Sequence, residues 1–156
     1  SIDFLQAELN ALDAMIRKHI DDDPDLRDKK KLLESIPGVG DRVSTHMAAL
    51  FAAKSFKSAE QLAAYLGLVP VQWESGSSVR GRPRMSKAGP KHLRKLLYMP
   101  AVTARRWNPH ISAMSDRLLA KGKTLMAVIG ACMRKLAHLC FGVIHSGKPY
   151  EKNYGM

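Results

Sequence analysis

The tetrapeptide Pro37-Gly38-Val39-Gly40 dictates more about this chain than any other stretch of similar length. Leu32, Leu33 and Ile36 lead into it, and Val43, Met47, Leu50 and Phe51 resume a helical period after it. Gly38 and Gly40 allow a sharp reversal that no side chain blocks. The segment therefore reads as helix, tight hairpin, helix. The chain is 46% hydrophobic but only 6% aromatic, with eight methionines, which favours packed helices over short β-strands. We expect an all-α fold.

Helical periods flank this unit on both sides. Ile2, Leu5, Leu9, Leu12 and Ile16 alternate spacings of three and four, a seam suited to pairing with another helix. A seam this short favours a helix laid on the domain's own core, because a coiled coil normally sustains three or four heptads. Pairing with a second copy is the alternative. Asp21 to Asp25, broken by Pro24, reads as a solvated turn. Ser58 and Gln61 form a capping-box signature for a short helix through Leu62 and Leu66, ended by Gly67. Leu93, Leu96, Leu97 and Ala101 mark the next helix, with Pro100 expected to kink or break it. Asn108-Pro109 opens a further helix that ends at Gly122. The last helix, Thr124 to His145, should bury Leu125, Val128, Ile129, Cys132, Leu136, Leu139 and Val143. Gly147 and Pro149 stop it, and a loose tail is expected beyond.

One stretch fits none of these periods. "WESGSSVRGRPRMSKAG", residues 73 to 89, has too few apolar residues for a core strand or an amphipathic helix, and only a short hairpin around Val71 to Val79 is signalled. It also opens the most basic part of the chain. Arg80, Arg82, Arg84, Lys87, Lys91, Arg94, Lys95, Arg105 and Arg106 lie between Glu74 and Asp116 with no acid among them. They supply most of a formal net charge of +11, which points to a polyanionic partner. Such a cluster can neutralise several phosphates, with binding that weakens steeply as salt rises.

Cys132 and Cys140 lie eight residues apart in one helical pattern, so their Cα atoms are roughly 12 Å apart, too far for a disulfide. They read as reduced core cysteines of a cytoplasmic protein. The most apolar stretch carries Arg134, Lys135 and His138, against a membrane span. The chain opens on Ser1 rather than Met and reads as a piece of a longer protein. His46, His92, His110 and His138 lack metal-ligand spacing, so no metal is expected on this chain alone. Four serines of the basic loop, Ser75, Ser77, Ser78 and Ser86, are candidate nucleophiles, yet the loop carries no histidine or paired carboxylate to activate one. On chemistry alone each reads as a turn or cap residue, Ser86 being the best placed to cap the next helix.

"SIPGVGDRVSTHMAAL" resembles the helix-hairpin-helix element of DNA-binding proteins. There, free N–H groups at a helix start, reached past Gly38 and Gly40, would hold a phosphate without reading bases. The order "IPGVG", "FKSAEQLAAYLGLVP", "SG", "RPRMSKAGPKHLRKLL" and "NP" further resembles the C-terminal domain of the insertion-sequence one-ten transposase family, the Piv/MooV-type or bridge-RNA-guided recombinases. The resemblance runs from about Leu32 to about Gly147. It implies residues 1–31 as a helical, coiled-coil-like connector, 32–149 as the domain and 150–156 as a tail. It also implies a recombinase in two parts, in which a RuvC-like N-terminal domain supplies acidic residues and Mg2+ and this part supplies a serine. That serine maps onto Ser75, before Gly76, and would form a covalent phosphoserine link to DNA. Arg80, Arg82, Arg84 and Lys87 would stabilise the charged transition state, and Lys91 and Arg94 would join them in binding nucleic acid. DNA and a guide RNA are the implied partners, and the Ile2 to Ile16 seam adds a second copy of the chain as a further one. Met85 replaces the isoleucine and Pro90 the asparagine common in the family, and neither alters a group with obvious chemistry. By itself the chain is expected to be inactive. The alternative is a non-catalytic helix-hairpin-helix module that grips nucleic-acid backbone.

Overall fold

Local capping chemistry divides the chain into helices where the turn signals stand. The computed structural model describes residues 2–71, 74–75, 79–80, 84–85 and 89–151, and of the paired segments between 70 and 85 it describes the backbone. Helix α1 spans Ile2–Asp22 and α2 spans Pro24–Glu34. Between them Asp23 is extended, its carboxylate accepts the Asp25 N–H at 2.9 Å, and Pro24 fills the first helical position. Helix α3 spans Asp41–Ala53 and α4 spans Ala59–Tyr65. The Ser58 hydroxyl accepts the Gln61 N–H at 3.1 Å, while the Gln61 carbonyl returns to the N–H of Lys57 at 2.6 Å, one residue before the usual capping-box partner. Gly67, at φ +73, ends α4 as expected, and Leu68 N–H bonds back to Ala63 O at 2.9 Å.

Four two-residue strands follow: β1 Pro70–Val71, β2 Glu74–Ser75, β3 Val79–Arg80 and β4 Arg84–Met85. β1 pairs antiparallel with β4, Val71 opposite Arg84, and β2 pairs with β3, Ser75 opposite Val79. The hairpin expected between Val71 and Val79 is thus longer, reaching Met85. Its return arm was hidden because a polar, glycine-rich strand has no apolar face to announce its register.

Helices α5 (Lys91–Trp107), α6 (Pro109–Ala120) and α7 (Leu125–Ser146) complete an all-α architecture of seven helices among the described residues. Pro100, expected to kink or break α5, does not break it. Proline forfeits one backbone bond, but Leu93 and Leu97 before it and Ala101 and Ala104 after it are all buried, and that packing keeps both halves in one helix. The cap of α5 is Pro90, with no side-chain bond, and Ser86 lies outside the described residues.

Helix α7 is the core that the others share. It packs against α2, α4, α5 and α6, and Val128, Cys132, Leu136, Ala137 and Cys140 have no exposed surface. This explains why a helix long and apolar enough to cross a bilayer occurs here. Met133, Ala137 and Cys140 join the expected buried set. Leu125 does not, at 51% exposed, because the whole first turn of α7 extends past its neighbours. Both cysteines are free and buried, and burial pushes the Cys140 thiol up to about 12.

The first helix departs most from expectation. Ile20 is buried and Ile16 packs on the core, but Ile2, Leu5, Leu9 and Leu12 stand 84%, 59%, 49% and 54% exposed. Among the described residues the main neighbours of α1 are α2 and α3, and most of its apolar seam stands outside the core.

Candidate nucleic-acid interface and serine loop

The Pro37–Gly40 turn is fixed from three directions. Gly38 has φ +104, and a Cβ built on it would stand 2.8 Å from the Cβ of Ala104 and 3.1 Å from the carbonyl of Pro100. Only glycine lets α5 approach so closely. Asn108, fully buried, donates from Nδ2 to the Pro37 carbonyl at 3.2 Å. Its Oδ1 accepts the N–H groups of His110 and Ile111 at 3.0 and 3.2 Å and the Tyr150 hydroxyl at 3.2 Å. Tyr150 also meets His110 Nδ1, and its own N–H donates to the Ser35 hydroxyl at 2.8 Å. Tyr150 is therefore not part of a loose tail, being half-buried and bonded at both ends, and residues 152–156 lie outside the described residues.

Where the turn runs into α3, the surface opens. Gly40 caps α3 without a side chain, and a Cβ there would meet nothing within 4 Å. Gly40, Asp41 and Arg42 are all exposed. Lys30 and Arg17 each hold the Asp41 carboxylate at 2.7 Å, and the Lys30 hydrogen bond is the main cause that keeps this carboxyl below its usual range. Asp13 of α1 pairs with His46 at 2.9 Å and Arg42 at 3.7 Å, which secures α1 beside α3.

The basic loop is rooted where α4 ends and α5 begins. A Cβ on Gly89, at φ +97, would fall 1.9 Å from the Tyr65 carbonyl oxygen, so the returning arm lies directly on the end of α4. Arg94 Nη1 stands 3.5 Å from Leu66 O, at the long limit of a hydrogen bond. Ser75, Arg80 and Arg84 are placed through their backbone in the two ladders. Gly76, Arg82 and Lys87 lie outside the described residues, as do Ser77 and Ser78. Lys91 is exposed at the start of α5. Gly38 sits at a separate turn against Pro100 and Ala104 of α5, with Gly40 two residues on in open space, so these two stand apart from the basic loop. Among the described residues, no three His, Cys, Asp or Glu side chains stand where they could hold a metal ion.

The sequence profile of the "Transposase IS116/IS110/IS902 family" matches residues 30–116, more than half of the chain. The chain belongs to this transposase family. It is 36% identical over 146 residues to the pilin gene-inverting protein of Moraxella bovis, covering 92% of the chain and 45% of that protein. An uncharacterised 43.6 kDa protein of insertion element IS110 from Streptomyces coelicolor is 27% identical over 152 residues, covering 97% and 36%. A putative transposase of Sinorhizobium fredii is 34% identical over 107 residues, covering 62% and 26%. The chain spans less than half the length of these relatives.

In this transposase-family domain, two features escaped the sequence reading. The "NP" motif does more than open α6, because Asn108 also ties down the Pro37 carbonyl 71 residues earlier. No local signal announces that bond. The second is the outer face of α5, where Tyr98, Met99 and Trp107 stand exposed among the cations, Trp107 at 68%. Lys91, Lys95, Met99, Thr103 and Trp107 stand at four-residue spacings, but that spacing alone does not announce that they stay exposed. Not every cation is free for a ligand. Arg105 Nε donates to the buried Ser115 hydroxyl at 2.9 Å.

Proposed function

We propose that this chain is the part of a DNA recombinase that grips nucleic acid and presents Ser75 as the nucleophile for strand cleavage and exchange. Its membership of the transposase family, joined to a basic segment without an acid between Glu74 and Asp116, is the observation that carries the reading. Phosphate backbone would be held by Arg80, Arg82, Arg84, Lys87, Lys91 and Arg94, and by the uncapped start of α3 at Gly40 behind the turn that Gly38 permits. In the reaction the Ser75 oxygen bonds to phosphorus and a deoxyribose oxygen departs as a hydroxyl, so the phosphodiester energy is conserved in a phosphoserine link. The described residues offer no set of ligands for Mg2+. Magnesium would belong to a RuvC-like domain in the remainder of the protein. DNA and a guide RNA are the proposed ligands, and the exposed Ile2 to Leu12 seam would pair two copies of the chain.

The test is a full-length protein that joins this chain to its RuvC-like domain, incubated with Mg2+, guide RNA and radiolabelled DNA carrying the element's ends. A denaturant-stable protein–DNA adduct is expected, lost in Ser75→Ala and retained in Ser77→Ala and Ser78→Ala. An undiminished adduct in Ser75→Ala would overturn the assignment. A second reading, a non-catalytic helix-hairpin-helix module, draws support from the open start of α3. It predicts DNA binding without any adduct in the same experiment. Light scattering with and without residues 1–31 tests the pairing, and a monomer in both cases removes it.

A further inference from the structure

Helix α5 has two faces of opposite character. Leu93, Leu97, Ala101 and Ala104 are buried against the core. Lys91, Lys95, Met99, Thr103 and Trp107 follow one another every fourth residue along a ridge that winds about 160° round the helix, and all five are exposed. At about 1.5 Å per residue the row is roughly 24 Å long. Arg106 lies exposed beside its end, and an open recess of about 480 Å3 is lined there by Val102, Thr103, Arg105, Arg106 and Trp107.

Three observations decide what such a row can bind. It starts with two ammonium groups, ends beside a guanidinium, and α5 contains no Asp or Glu at all, which selects a polyanion. Its middle and end are a thioether and an indole, exposed at 62% and 68%, which a phosphate backbone alone would leave in water. A large exposed aromatic beside cations is what a stacking base requires. Duplex DNA keeps the faces of its bases stacked on each other, so only an unpaired base can lie on the indole.

We infer that the outer row of α5 is a binding track for an unpaired nucleic-acid strand, with phosphates on Lys91, Lys95 and Arg106 and a base stacked on Trp107. This rests on the nucleic-acid reading above and adds to it a preference for single strands and the residue that carries it. Trp107 contributes little to the core, so its replacement leaves the fold intact.

The 156-residue chain is titrated, in fluorescence anisotropy, with a labelled oligothymidine and with a labelled duplex of equal length, at several salt concentrations. Trp107→Ala should weaken oligothymidine binding about tenfold and duplex binding less than about twofold, while Trp107→Phe keeps most of the affinity. Met99→Glu, which sets a negative charge in the middle of the row, should also weaken the single strand. Lys95→Ala and Arg106→Ala should lower both affinities and each flatten the salt dependence by roughly 0.7 in log–log slope for the single strand. Equal losses on both ligands in Trp107→Ala, or none, overturn the track while leaving nucleic-acid binding in place. A change in light-scattering mass with unchanged oligonucleotide affinity assigns the row to self-association and overturns it too. If wild type binds neither ligand, the broader nucleic-acid reading fails, and the track fails with it.

Discussion

Two helices begin beside the Pro37–Gly40 turn, and their starts are built in opposite ways. Helix α6 opens on Asn108, a fully buried side chain that satisfies two N–H groups of its own helix and reaches the Pro37 carbonyl and the Tyr150 hydroxyl. Helix α3 opens on Gly40, which offers no side chain and has empty space around it. A helix start leaves N–H groups that something must satisfy. At α6 the domain supplies that partner itself. At α3 the first-turn groups are left to water or to a ligand, and Asp41 with its cations Lys30 and Arg17 shapes the charge around them. A closed start therefore positions an open one.

The largest expected effect comes from breaking the closed start. Asn108→Ala leaves buried N–H groups and the Pro37 carbonyl without their partner, at a cost of about 3 kcal/mol. Thermal unfolding should show Tm lower by roughly 6–12 °C in a chain of this size. Gly38→Ala attacks the same junction from the other side, combining a left-handed backbone with a 2.8 Å approach to Ala104. It should cost about 2 kcal/mol in denaturant unfolding, with an unchanged m value.

Changes at the open start should be smaller. The folded Asp41 carboxyl titrates below its ordinary 3.8 because Lys30, then Arg17, favour its charged form. Its stabilising contribution is therefore fully present above 3.8 and is lost as pH falls through the lower folded value. The carboxylate is half exposed, so this is worth less than about 1 kcal/mol. Stability measured against pH should fall less steeply on the acid side in Asp41→Asn than in wild type. Gly40→Ser has the smallest effect on stability and the sharpest bearing on the comparison. The new hydroxyl can cap α3 and raise stability by a few tenths of a kcal/mol, while occupying the N–H groups proposed for phosphate. Duplex affinity in anisotropy should fall as stability rises, whereas a purely structural turn would show the gain alone.

What the sequence disclosed and what it withheld follow from the range of the interactions. Ser58 and Asn108 cap helices through bonds to residues two or three ahead, and Gly67 and Gly147 end them locally, so these boundaries were legible, whereas the turn expected from Asp21 to Asp25 shrinks to the single extended Asp23 between α1 and α2. The second role of Asn108 depends on a carbonyl 71 residues away, and the Tyr150–Ser35 bond spans 115, distances at which no spacing rule operates. Exposure was illegible for a related reason. The seam of α1 and the outer row of α5 have ordinary helical spacings, and only tertiary packing decides which apolar residues stay outside. Ser75 was singled out by resemblance, since four loop serines looked alike to chemistry.

The position of α7 has a consequence for how this domain comes into being. The family match, residues 30–116, stops before α7, yet α2, α4, α5 and α6 all bury their apolar faces on it. During synthesis α2 can pair with α3, and α5 with α6, but the surface that α2, α4, α5 and α6 share stays open until residues 125–146 have left the ribosome. Closure of the whole core therefore waits for α7, and nascent chains that lack it present apolar faces to chaperones.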